Sequence, residues 1–285
     1  MPGDIVSKIR SAIDDLPPMP QVASRLLREI ENPDAEVRNI YEILTKDAAL
    51  AGKILTIANS AYYSRGIPIS SLPAAIRVLG FSTIRNVVMS IATSSMFSRA
   101  AKNAQKSTAR LWKHSLGTAY LSVLISKSIG ESYDDEIFVY GLLHDIGKIP
   151  VIGRFPEIAE KIEEMKNDAL GKGDSDWSVT ECEMRLLGFT HGQLGGALME
   201  KWNFPDKIRW IVEKHHDYNS EDDKDTDILI VRLANFLSHK LQGEPSGERD
   251  FQKVSKILKI PKKQLADLSR QAAEHIDKDL EVFGI

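Results

Sequence analysis

Apolar positions recur three and four residues apart along almost the whole chain, and no run of alternating β-branched residues reads as a strand. The pattern predicts an all-α fold. A first helix is expected from Ile5 to Ile13, closed by Leu16-Pro17-Pro18-Met19-Pro20, because proline lacks a backbone donor and restricts the residue before it. Pro20 suits the opening position of a helix through Arg25, Leu26, Leu27 and Ile30. Helices from Glu36 to Leu44 and from Ala48 to Ala58 follow, with Asp47 as the N-cap between them. Ser71 caps a helix through Ile76, Val78 and Leu79 that stops at Gly80, and Ser82 caps the next, through Val87, Val88 and Ile91.

A long helix is predicted from about Ser107 to Ile129, ending at Gly130 and carrying His114 in its first half. Asp134 or Asp135 can start the following one, through Ile137, Val139, Leu142 and Leu143, which reaches His144-Asp145 just before Gly147 and Pro150. A charged helix near Glu157 to Asn167 precedes the loop-like Gly171-Lys172-Gly173-Asp174-Ser175. Further helices are expected around Val179 to Leu187, Leu194 to Trp202, Ile208 to His216 and Ile228 to Leu241, with a charged pair beyond Gly243. Glu221-Asp222-Asp223-Lys224-Asp225 reads as a solvated loop.

Hydrophobic residues are 42% and charged residues 27% of the 285, ordinary for a compact globular protein and too apolar for a disordered one. The single cysteine, Cys182, excludes an intramolecular disulfide, and no basic run joined to an apolar core opens the chain, so a cytoplasmic protein is expected. Apolar windows such as Val87 to Ala92 and Tyr120 to Ile125 fall far short of the roughly 20 residues of a membrane span, so none is expected. The net charge of -3 gives no global drive toward nucleic acid. From Ala48 through Gly130, however, there is no acidic residue, against ten lysines and arginines. These read either as solvated helix faces or as a positive face for an anionic ligand or partner. No cluster of base-reading side chains accompanies them, which disfavours DNA binding. The end of this zone is the one compositional boundary; with the helix that ends at Leu241 it gives an expected division into 1–130, 131–241 and a C-terminal extension, 242–285.

His114, His144, His191, His215 and His216 fall on successive helical segments, and Asp145 directly follows one of them. Metal ions held by imidazoles and a shared carboxylate need donors from several directions, which a helical bundle supplies one helix at a time. Such a nitrogen and oxygen set suits one or two divalent ions, iron or manganese first and zinc or nickel also, better than calcium or magnesium. Lys148 lies one turn after His144, where it either meets a substrate phosphate or complements a helix C-terminus. One member of the His215-His216 pair is expected to point away from any common centre, and His239 and His275 read as surface residues.

Leu142-Leu143-His144-Asp145-Ile146-Gly147-Lys148 resembles the central motif of the HD superfamily of metal-dependent phosphohydrolases. Trp112-Lys113-His114-Ser115 is similar to that superfamily's first histidine motif, and His191 and His215-His216 follow in the order of its two-metal branch. Upstream, Leu16-Pro17-Pro18-Met19-Pro20, Asp47-Ala48-Ala49-Leu50, Ala58-Asn59-Ser60-Ala61-Tyr62-Tyr63 and Ala75-Ile76-Arg77-Val78-Leu79-Gly80 resemble the HDOD family. The resemblance covers most of the chain to about Leu241. It implies a multi-helical HD-like bundle with an N-terminal helical subdomain, in a bacterial protein linked to signal transduction; a cytoplasmic protein partner met through the acid-free half, and a phosphorylated small-molecule or nucleotide ligand, are expected with it. It also implies metal ligands at His114, His144, Asp145, His191, His215, His216 and Asn235. If the site is active, as a phosphohydrolase or phosphodiesterase, Asp145 and Lys148 take part in catalysis. The superfamily's final motif normally ends in aspartate where this chain has Asn235, whose amide brings no charge, so affinity for a second metal should fall. Asp217-Tyr218-Asn219 stands where the cyclic-dinucleotide phosphodiesterases carry Gly-Tyr-Pro.

Overall fold

The structure, a computed structural model, describes residues 11, 13, 21–30, 32, 34–59, 68–100, 105–131, 136–171, 179–217, 225–244 and 248–283. Among these there is no strand, and the chain is all-α as expected. Several expectations lie outside the described residues: most of the first helix and the Leu16 to Pro20 turn, Ser60 to Tyr63, the starts at Asp134 or Asp135, 172–175, Tyr218-Asn219, 221–224 and the side chain of His275. The chain divides into two compact units. One comprises Pro18–Ser95 with Asp277–Ile285, the other Met1–Pro17 with Met96–Ile276.

In the smaller unit, α1 (Gln21–Ile30), α2 (Val37–Leu44) and α3 (Ala48–Ala58) bury Leu26, Ile40, Leu44 and Ile54 completely. Asp47 caps α3, accepting the Leu50 amide at 3.0 Å. Asn59 closes the connection beyond α3 by holding the backbone of Ile69 from both sides, donating to its oxygen at 2.7 Å and accepting from its amide at 2.8 Å. In α4 (Leu72–Ala100) the backbone breaks at Gly80, whose φ of 76° only glycine adopts without strain. The second segment resumes directly at Phe81, so Ser82 is a helical residue and not the expected cap. Residues Leu72–Ser94 are long and apolar enough to cross a membrane by length and composition, which the shorter windows did not anticipate. Half of that segment is buried within the protein and Gly80 interrupts it, as in a core helix.

The larger unit is built around α5 (Gln105–Ser128), which ends in a turn at Gly130, φ 73°. Its buried face carries Trp112 and Leu116 among small residues, Ser115, Gly117, Thr118, Ala119 and Ser122. Small residues let neighbours approach closely. A Cβ on Gly141 of α6 (Ile137–Leu143) would lie 2.8 Å from both the Thr118 carbonyl oxygen and Ala119 Cα. On another side α12 (Thr226–Leu241) packs on α5, and Ser238 Oγ donates to the His114 carbonyl at 2.9 Å. Between them come α7 (Lys148–Arg154), α8 (Pro156–Gly171), α9 (Val179–Leu186), α10 (His191–Lys201) and α11 (Asp206–Lys214), followed after α12 by α13 (Glu248–Ile257) and α14 (Lys262–Phe283).

Two helix boundaries differ from the sequence reading, and both matter for the site. Thr190 and Gln193 form a capping box, so α10 starts at His191 and not near Leu194. α11 stops at Lys214, leaving His215 and His216 in the turn beyond it.

Candidate metal centre

His144, Asp145, Ile146 and Gly147 form a turn between α6 and α7. His144 and Asp145 stand where α6 ends, and both enter one buried centre with no exposed surface. The carboxylate divides the site. Asp145 Oδ2 lies 3.5 Å from His114 Nε2 and 3.3 Å from His144 Nε2, while Oδ1 lies 3.1 Å from His191 Nε2 and 3.6 Å from His215 Nε2. Donor atoms of His114, His144 and Asp145 form one group within metal-ligand reach, and those of Asp145, His191, His215 and His216 a second. Contrary to the expectation for adjacent residues, both His215 and His216 face the centre from the end of α11, each with a ring nitrogen within reach of Asp145 and His191.

The imidazoles are oriented from behind. His144 Nδ1 donates to the Gly141 carbonyl at 2.7 Å and His215 Nδ1 to that of Val212 at 2.9 Å. Carbonyls only accept, so the Nδ1 atoms carry protons and the Nε2 atoms are the ones turned to the carboxylate. His191 Nδ1 donates to Glu183 at 2.8 Å, and the His191 amide donates to the same carboxylate at 2.9 Å. Arg232, fully buried, donates to the carbonyls of Lys214 (3.0 Å), His215 (3.2 Å) and Asp217, clamping the turn that presents the histidine pair. A cation at a helix C-terminus also complements its dipole.

Burial pushes His114 and His216 well below the usual imidazole range and His215 down to about 3, so all three are neutral donors at neutral pH. Burial would likewise lower His191, but the Glu183 carboxylate outweighs it and the ring is raised. For Asp145 burial favours the neutral acid, yet His144 and Lys148 hold the carboxyl well below its ordinary value. Lys148 Nζ donates to Asp145 Oδ2 at 2.7 Å. It sits at the first turn of α7 and not after a continuing helix, so the helix C-terminus alternative does not apply.

Three residues that the sequence reading left out belong here. Glu183 is buried behind His191. His239, expected at the surface, is largely buried, its ring 4.0 Å from that of His114, because α12 turns that face onto α5. Glu244 accepts from His239 Nδ1 at 2.6 Å and pairs with Arg110. The spacing of His239 four residues after Asn235, on one helix face, was the available signal; nothing in the sequence marks Glu183. Asn235 is buried on α12 with Oδ1 lacking a hydrogen-bond partner. Beside the centre, a cavity of about 330 Å³ is lined by His114, Asp145, Lys148, Arg110, Glu183 and His239, with the wall formed by α8.

A family model for the HDOD domain matches residues 16–218. The chain belongs to the HDOD family. An HDOD domain protein of Geobacter sulfurreducens is 23% identical, with 99% of this chain and 95% of that one aligned at a TM-score of 0.73. A provisionally named phosphohydrolase of Shewanella amazonensis is 22% identical over 97% of both chains, also at 0.73. These likenesses establish the fold. A Treponema pallidum protein of uncharacterised function is 24% identical over 262 residues, 91% of this chain; the HDOD chain spans about half the length of that curated relative. In this HDOD protein the buried histidines and Asp145 form a set that could hold metal.

Proposed function

We propose that this chain is a cytoplasmic signal-transduction protein whose centre binds one or two divalent transition-metal ions and, in the adjoining cavity, a phosphorylated small-molecule or nucleotide ligand. One observation carries the reading: Nε2 of His144 and of His215, whose Nδ1 atoms already donate to carbonyls, lie 3.3 and 3.6 Å from opposite oxygens of the buried Asp145, within two groups of donor atoms that each lie in metal-ligand reach. Imidazole nitrogens gathered around both oxygens of one buried carboxylate are the donor set that a bound cation would take. The donor set of imidazole nitrogen and carboxylate fits iron or manganese first, zinc or nickel next. His114, His144 and Asp145 Oδ2 would hold one ion, with Asn235 Oδ1 as a neutral fourth donor. Asp145 Oδ1, His191, His215 and His216 would hold the other. Within the acid-free stretch from Ala48 to Gly130, exposed cations such as Arg77 would meet an anionic region of a protein partner.

Metal analysis of the purified protein beside Asp145→Ala tests this. The wild type should carry at least one equivalent of transition metal and the variant none; a metal-free wild type after growth with iron and manganese would dismiss it.

A phosphohydrolase is the second reading, favoured by a cavity that reaches His114, Asp145 and Lys148 directly. A bound dication would supply activation of water and neutralisation of phosphoryl charge. Lys148 would place its ammonium against a phosphoryl oxygen, Asp145 would hold its orientation, and the buried histidines would exclude bulk water. Turnover of phosphate esters by the metal-loaded protein, abolished in Asp145→Ala, separates this reading from a binding module.

A further inference from the structure

The two oxygens of Asp145 are not equivalent. Oδ2 accepts the Lys148 ammonium at 2.7 Å, whereas Oδ1 is buried without a hydrogen bond. The histidine groups on either side differ in the same sense. On the Oδ1 side three imidazoles converge, those of His191, His215 and His216, and the Glu183 carboxylate stands behind His191 at 2.8 Å. On the Oδ2 side there are two, His114 and His144, and His114 Nδ1 is buried with no acceptor behind it. Among the described residues no second carboxylate joins that group.

A dication is favoured where a carboxylate oxygen is free, and opposed where another cation already stands. Oδ1 meets the first condition and Oδ2 the second. An ion gathered by His114 and His144 through Oδ2 would share one buried oxygen with an ammonium, and like charges so placed repel with little solvent between them. Lys148 follows Asp145 by three residues and its side chain is 17% exposed, so the local chain keeps the pair together and water screens it poorly. Building on the metal-centre reading, we propose that the centre holds a single dication, on Asp145 Oδ1, His191, His215 and His216, and that the Lys148 ammonium takes the place of a second ion's charge at Oδ2. Lys148 thereby sets the number of metals.

Calorimetric titration of the metal-free full chain with manganese and, anaerobically, with ferrous iron tests this, bound metal being counted after dialysis. The wild type should hold one equivalent, with any second at least about 100-fold weaker. His114→Ala should keep that equivalent and His191→Ala should lose it. Lys148→Met, which keeps most of the length without the charge, should bring the second equivalent to within about tenfold of the first. Lys148→Arg keeps the charge and should stay at one. Two equivalents of comparable affinity in the wild type, loss of the ion from His114→Ala, its retention in His191→Ala, a second ion in Lys148→Arg, or a folded Lys148→Met that still takes only one would each overturn the proposal while leaving the metal centre standing. The two histidine variants decide the side of the carboxylate even where Lys148→Met fails to fold. A wild type that binds neither ion defeats the metal reading first, and this one with it.

Discussion

A Cβ placed on Gly147 would come within 1.9 Å of the His191 carbonyl oxygen. The turn carrying His144 and Asp145 is thus pressed against the first residue of α10, and the same approach that excludes a side chain at position 147 brings His191 Nε2 to 3.1 Å from Asp145. Gly147→Ala must move backbone against backbone, so it should cost about 1–3 kcal/mol or more, the range of an overpacked core. Denaturant unfolding measures the loss, and metal content should fall with it.

Glu183 raises the affinity of His191 for a proton, and that proton competes with a metal for Nε2. In the metal-free protein the raised pKa contributes stability that is complete below about 6.5 and is lost as pH rises through the folded value. Metal affinity should therefore increase with pH over the same interval. Glu183→Gln should bring the His191 titration down, followed by NMR, and weaken metal binding by roughly 10–100-fold, as loss of a carboxylate behind a ligand histidine does.

Glu244 is held down to about 2, its carboxylate kept ionised by His239 and Arg110 against the opposing effect of burial. A depressed acid stabilises the fold above its unfolded pKa of about 4.3, and that contribution disappears as pH falls toward 2. The acid limb of a stability profile should accordingly flatten in Glu244→Gln. Urea unfolding between about pH 2 and 6 reads the difference; parallel limbs in the two proteins would contradict it.

Arg232→Met keeps much of the volume but leaves the carbonyls of Lys214, His215 and Asp217 without their donor. Each unsatisfied buried acceptor costs about 1–3 kcal/mol, and the turn bearing the histidine pair should loosen. Arg232→Lys should recover little, because an ammonium cannot fork to three carbonyls in the way a guanidinium does. Metal retention at equal folded fraction separates loss of positioning from simple destabilisation.

Asn235→Asp restores a charge at the position where the sequence departs from the superfamily pattern. If Asn235 Oδ1 faces the His114 and His144 group, the variant should bind a second metal equivalent more tightly, seen as higher stoichiometry at limiting metal. Unchanged occupancy would remove Asn235 from the ligand set.

The helical character of the chain, the cap at Asp47, the break at Gly80 and the terminus at Gly130 were legible because each rests on local physics: apolar spacing, a side-chain acceptor, a positive φ. The histidines and Asp145 were legible as a set because a shared cation needs several donors of those types. Less local features were not. The expectation that His215 and His216 diverge rested on helix geometry alone, whereas Asp145 and His191 lie close to both at the end of α11, and the placement of His239 at the surface assumed a polar neighbourhood that α5 covers.

By itself the sequence determined the all-helical class, the donors and their order along the chain, since periodicity and side-chain chemistry are written residue by residue. Only tertiary structure decided that Asp145 turns one oxygen to each histidine group, that Glu183 backs His191, and that Lys148 meets Asp145 at one of those oxygens. Those relations depend on where helices stop and how closely they pack, which are set by contacts between residues far apart in the chain and leave no pattern within any one segment.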